Sequence, residues 1–145
     1  MESIRRIVRD HRGLLPREIL LLSIIIVVFA AATVIALRLE HAKTRDTQRL
    51  SDMRVVQRAF ERLWLETASF QGAAADGCSE TGMAVSQCNL FAYEPAIAQL
   101  RDPGQYAYAV TQVPGSDTYE VSFTLEQSYG ALASGRHTLT PRGIE

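Results

Sequence analysis

Two cysteines and three histidines are all that this 145-residue chain offers of the side chains most used to bind transition metals. Cys78 and Cys88 stand too far apart for a CxxC redox site and are too few for a four-ligand zinc site. His11, His41 and His137 are scattered and share no local signature with a nucleophile, and the chain has no Gly-rich phosphate loop, no HExxH and no internal repeat. Neither catalysis nor a cofactor is expected. Cations are scarce in the distal half as well: residues 63–145 hold 3 Lys/Arg against 9 Asp/Glu, whereas residues 1–62 hold 12 against 7. Arg101, Arg136 and Arg142 supply too little positive surface to neutralise phosphates, so no nucleic-acid partner is expected.

What the chain has instead is one long apolar run. Ile19 to Leu37 comprises 19 residues without a charge. As a helix it reaches ~28 Å, roughly the hydrocarbon core of a bilayer. This excludes a simple soluble cytosolic protein and makes membrane lipid a partner. Arg5, Arg6, Arg9, Arg12 and Arg17 precede the run, and Arg38, Lys43, Arg45 and Arg49 follow it. That balance favours a cytoplasmic N-terminus and a single pass.

Pro16 is suited to the first turn of a helix, because its missing N–H is not needed there and its φ is already helical. Beyond the run, Leu50, Met53, Val56, Phe60 and Leu63 recur at steps of three or four and form an amphipathic stripe on the same helix. Asp46/Arg49, Arg58/Glu61 and Arg62/Glu66 are spaced to pair on its other faces. The helix is expected to run from Pro16 to about Phe70, a rod of ~80 Å at the standard rise. Gly72 and the small residues up to Gly77 are expected to end it.

Further on, Phe91 to Leu100 reads as a short helix stopped by the turn Asp102-Pro103-Gly104. Alternation then puts Tyr106, Tyr108 and Val110 on one strand face and Tyr119, Val121, Phe123 and Leu125 on another. Pro114 to Asp117 connects these strands, and Arg136 to Thr140 offers a third beyond the Gly130–Gly135 turn. A small sheet needs something to bury its apolar face, and the Leu50/Met53/Val56/Phe60/Leu63 stripe is the nearest partner. The aromatic residues are read as core rather than as a stacking platform for bases. Glu120, Glu126 and His137 are read as solvated, and Asp102 and Asp117 as turn residues without the oxygen density that calcium requires. The fold class is therefore α+β, a long N-terminal transmembrane-plus-amphipathic helix packed on a small antiparallel β-sheet. Cys78 and Cys88 are expected to close a short loop as one disulfide, which puts the distal part in an oxidising space; two buried free thiols are the alternative.

The N-terminal segment resembles a type IV prepilin signal, in which a short basic leader ends in Gly and a Glu stands fifth in the mature chain ahead of an apolar helix. Here Arg12-Gly13 ends the leader, Leu14 becomes the new N-terminus, and Glu18 falls at the fifth mature position. Leu14, Pro16 and Arg17 stand where the family usually has an aromatic or Met and then apolar residues. The stretch AKTRDTQRLSDMRVVQRAFERLWLETASF is similar to the second half of a pilin helix, and RDPGQYAYAV, YEVSFTLE and GRHTLTPRGI resemble the sheet of small pilin-like proteins.

The resemblance implies a leader (1–13), a transmembrane and assembly helix (14–37), an amphipathic half-helix (38–71) and an extracytoplasmic head (72–145). It also implies a subunit of a type IV pilus or type II secretion pseudopilus, N-methylation of Leu14, and several partners: further copies, related pilins, a prepilin peptidase and an inner-membrane assembly platform.

A carboxylate entering an apolar helix costs up to about 2.5–3.5 kcal/mol at mid-bilayer and less near its edge, so Glu18 is expected to find a cation. If cleavage follows Gly13, the α-amine of an adjacent, staggered copy is that cation, and a head-to-tail contact of this kind builds a helical filament. The alternative places Glu18 in interfacial water beside Arg17, favoured by the helix N-terminus. Two other architectures are an uncleaved signal anchor carrying a periplasmic binding module, and a secreted protein cleaved after Ala32.

Overall fold

The computed structural model describes residues 16–75 and 77–145. Gly13 and Leu14 lie outside the described residues. Pro16 takes the first position of α1, which runs Pro16–Thr67 without interruption over 52 residues. The chain divides into two compact units at Leu39/Glu40. The described part of the first unit is helix alone, and the second unit holds the rest of α1 and the sheet.

Helix α1 ends at Thr67, earlier than expected, and not on a glycine. Ala68 adopts φ 51°, and its N–H closes on the Trp64 carbonyl at 2.8 Å. The Thr67 hydroxyl takes up the Leu63 carbonyl at 2.8 Å. A left-handed residue that satisfies the last carbonyls is the usual helix stop, normally made by Gly. Gly72 lies inside a 3-10 turn, Gln71–Ala73, that follows the stop.

Four antiparallel strands form one sheet in the order β1 (Ala109–Gln112), β2 (Glu120–Leu125), β3 (Gly135–Thr140) and β4 (Gly143–Ile144). Val110 opposes Val121, Val121 opposes Leu139, and Leu139 opposes Ile144, so one apolar row crosses the sheet. The pairing of β1 with β2 slips between Val110 and Gln112, leaving Thr111 as a bulge. The fourth strand is not legible in the sequence: two residues are too few to show alternation, and Gly143, at φ 124°, is what turns the chain back on β3.

The expected packing is present. Leu50, Met53, Val56, Phe60 and Leu63 are all buried, together with Tyr119, Val121, Phe123, Leu125 and Leu139. Phe60 stacks on Tyr119 with ring centres 3.8 Å apart, and Phe70 meets both rings edge-on. The Pro114–Asp117 connection docks on the end of the helical region through Phe70 N–H to Gly115 O at 3.1 Å.

Two local expectations change. Phe91 to Leu100 is not a helix but a turn followed by a 3-10 segment, Pro95–Gln99, because Pro95 cannot donate into a preceding helical turn. Tyr106 does not share the buried face of Tyr108; it precedes the strand and is 47% exposed. The disulfide expectation is met: Cys78 and Cys88 are joined, with Cα atoms 4.4 Å apart, and both are buried beneath a loop whose Ser79 to Gly82 stretch is exposed. Gly77 makes the loop's close crossing possible, since a Cβ there would lie 2.5 Å from Asn89 N and 2.8 Å from Gln87 O.

Candidate functional site

The first candidate surface is the apolar part of α1. Every residue from Ile19 to Leu37 is exposed, and Phe29 reaches 75%. No side of this segment is polar, so it has no solvent-facing stripe of the kind a surface helix carries. Its two hydroxyls are turned inward: Ser23 Oγ donates to Leu20 O at 2.7 Å, and Thr33 Oγ1 to Phe29 O at 2.8 Å. A helix whose backbone and hydroxyl groups are satisfied within itself is the form that hydrocarbon tolerates. With a mean hydropathy of 3.1 in its most apolar window, α1 is long and apolar enough to cross a membrane. Glu18 stands in its first turn, exposed, where the helix N-terminus favours a carboxylate.

The second site lies in the head-bearing unit, where α1 is held to the loops. Arg49 is fully buried, with a side-chain exposure of 0%. Its Nε and Nη2 donate to the two oxygens of Asp102 at 2.6 and 2.9 Å, a bidentate fork. Its Nη1 donates to Asp46 Oδ1 at 2.7 Å and to Glu126 Oε1 at 2.8 Å. Arg45, one turn earlier, adds Nε to Glu126 Oε1 at 2.8 Å and a second bond to Oε2.

Three carboxylates thus face two guanidinium groups, and the surplus negative charge is met by backbone. Asp46 accepts the N–H groups of Glu126 and Gln127 at 2.9 and 2.8 Å, and Asp102 accepts those of Gly104 and Tyr106 at 2.7 and 3.3 Å. The Tyr106 ring lies 5.1 Å from the Arg49 guanidinium carbon, a cation–π contact. Gly104 leaves room for this, because a Cβ there would come 2.8 Å from Arg49 Nη2.

The ionisation of this cluster follows from its contacts. The Arg45 hydrogen bonds, seconded by Arg49, lower the Glu126 carboxyl to about 2. Burial pushes Asp102 up, but the Arg49 fork and the two backbone N–H groups outweigh it, and the group ends below the usual carboxylate range. The fork on Asp102 is the main reason that Arg49 stays protonated despite burial. Beside the cluster, Tyr108 donates its hydroxyl to Asp52 Oδ2 at 2.7 Å. Burial raises Asp52, and the Tyr108 hydrogen bond only partly offsets it.

Several sequence readings are corrected here. Glu126 and Asp102 were expected in solvent and in a turn, yet both hold a buried arginine. Asp46 and Arg49 pair as their spacing predicts, but inside the head and not on a solvated face. Arg62 does not take Glu66; it donates to the Tyr93 carbonyl and lies 3.4 Å from Glu94. Glu61 is bonded by Gln57 and not by Arg58. His137 is half-buried, its ring nitrogens 2.8 Å from Ala133 O and 3.2 Å from Glu145 O. The signals for the cluster are present but mute in the sequence, because Arg49, Asp102 and Glu126 are separated by 53 and 77 residues.

No family model, curated protein or solved structure matches the chain. Its function is therefore read from its own chemistry. That chemistry joins a greasy helical segment beginning at an acid to a small head held on the same helix by an ion cluster and an apolar core.

Proposed function

We propose that the chain is a structural subunit of a type IV pilus-like or type II secretion pseudopilus filament. It inserts in the cytoplasmic membrane with its N-terminus inside, is cleaved after Gly13 by a prepilin peptidase, and polymerises on an inner-membrane platform through Leu14–Leu37, with the head outside the cytoplasm. The observation that supports this most is the apolar segment of α1. It exposes large hydrophobic side chains on all sides, begins next to Glu18, and continues as the same helix into the head. Lipid covers such a surface before assembly, and neighbouring copies of the same segment cover it afterwards. Glu18 then pairs with the α-amine of an adjacent Leu14 and sets the register.

Mass spectrometry of the protein extracted from membranes tests the reading. A mature chain beginning at Leu14 is the expected result. A chain beginning at Thr33 would mean secretion, and an intact Met1 would mean a signal-anchored module.

A further inference from the structure

The head carries an open groove of about 430 Å³ between the end of α1 and the start of β2. Trp64, Leu65, Phe70 and Tyr119 make it apolar, and Glu61 and Asp117 bring carboxylates to it. Leu65 is 84% exposed and Trp64 38%, the two large apolar side chains that the head-bearing part of α1 leaves uncovered beyond Leu39. The groove therefore combines an aromatic face with two exposed acids, and one Glu61 oxygen is already oriented by Gln57 Nε2 at 2.9 Å. A guanidinium on an aliphatic stem matches that combination: the stem covers apolar surface, the cation lies over the indole, and the carboxylates accept its N–H groups.

The same helix presents such groups. Arg54 and Arg58 are exposed and four residues apart, so they project from one side of α1. Glu61 and Leu65 continue that ridge, three and seven residues beyond Arg58. The ridge is basic first, then acidic and apolar. Two parallel copies side by side in register set like charges against like. A shift of three residues, about 4.5 Å along the helix, sets Arg58 of one copy level with Glu61 of the next.

We propose that the Trp64/Leu65 groove is a subunit interface that receives Arg58 from a second copy of this chain. The inference rests on the filament reading and adds to it a contact in the head, remote in sequence from the apolar segment.

Charge reversal in the full-length chain tests it, with polymer recovered by shearing and sedimentation as the readout. Glu61→Arg and Arg58→Glu alone are each expected to lower polymer yield about tenfold by setting like charges together. Their combination in one chain is expected to restore it to within about twofold. Both positions are exposed, so thermal unfolding of the extracted monomer serves as the folding control and is expected to stay unchanged. If the single variants polymerise normally, or the double variant is no better than either single one, the groove does not hold that arginine and belongs to another partner or to none. In that event wild-type polymer that is lost on Glu18→Ala leaves the filament reading standing. Absence of polymer from the wild type overturns both.

Discussion

Arg49 and Asp102 meet through two parallel hydrogen bonds, 2.6 and 2.9 Å long, with both side chains shut off from solvent. The pair joins the middle of α1 to the loop that leads into β1. Since Arg49 also holds Asp46 and Glu126, one guanidinium organises three segments of the head.

Arg49→Met removes one partner of a buried ion cluster and leaves Asp46 and Asp102 charged in a dry site. The expected loss is about 3–5 kcal/mol, read from denaturant unfolding of the full chain in detergent. Arg49→Lys is expected to recover only part of it, because a single ammonium cannot reproduce the fork on Asp102. A lysine variant as stable as the wild type would show that charge alone, and not bidentate geometry, holds the loop.

Acid is expected to loosen the head. Glu126 is lowered from its ordinary 4.5 to about 2 in the folded chain, and Asp102 is also lowered. Between those values the unfolded chain binds more protons than the folded one, so this contribution to stability is complete above about pH 4.5 and disappears as the pH falls toward 2. Asp52 works the other way: its raised pKa makes the folded chain the better proton acceptor and gives back a little stability in acid. Unfolding midpoints measured from pH 6 to about pH 2 should therefore fall with acidity in the wild type. Glu126→Gln should be less stable at pH 6 and show a shallower slope; an unchanged slope would remove Glu126 from the account.

The backbone offers a pair of opposite effects. Ala68 holds the left-handed conformation that ends α1, a placement costing a residue with a Cβ about 1–2 kcal/mol. Ala68→Gly is expected to stabilise the head by about 0.5–1 kcal/mol, after allowing for the added freedom of the unfolded chain. Gly77→Ala should cost about 1–3 kcal/mol or more, since the new methyl meets backbone atoms and not a yielding side chain. Both changes are measurable as shifts in thermal midpoint with the disulfide intact.

Glu18→Ala separates filament from anchor. The substitution removes a charge from the edge of an apolar helix, so membrane insertion should be as good or better. A monomeric anchor would tolerate it, whereas a filament subunit is expected to insert and then fail to polymerise. Fractionation followed by sedimentation of sheared material distinguishes the two.

Much of the fold is readable from periodicity. The buried stripe from Leu50 to Leu63 and the buried row Tyr119, Val121, Phe123 and Leu125 are where their spacing puts them, because burial of a whole face leaves a repeating mark in the chain. With only two cysteines, Cys78–Cys88 is the one bridge the chain can form within itself, and the structure decides for it over two free thiols. The end of α1 was less legible: a run of small residues after Gly72 offers a familiar stop, but the helix stops where Ala68 turns over and Thr67 caps it.

Of the ion cluster only the Asp46–Arg49 pair is legible, from its three-residue spacing on the helix. Its long-range members leave no period, and Arg45, Asp102 and Glu126 each have an ordinary surface or turn role when considered with their immediate neighbours. The helix, its apolar segment and the faces that must be buried follow from local spacing, since each depends on residues a few positions apart. Which charges leave water together, which acids rim the Trp64 groove, and where Arg62 and Glu126 find partners depend on contacts across dozens of residues. Those contacts exist once the sheet has closed on the helix, because desolvation, and not chain proximity, then governs how the charges pair.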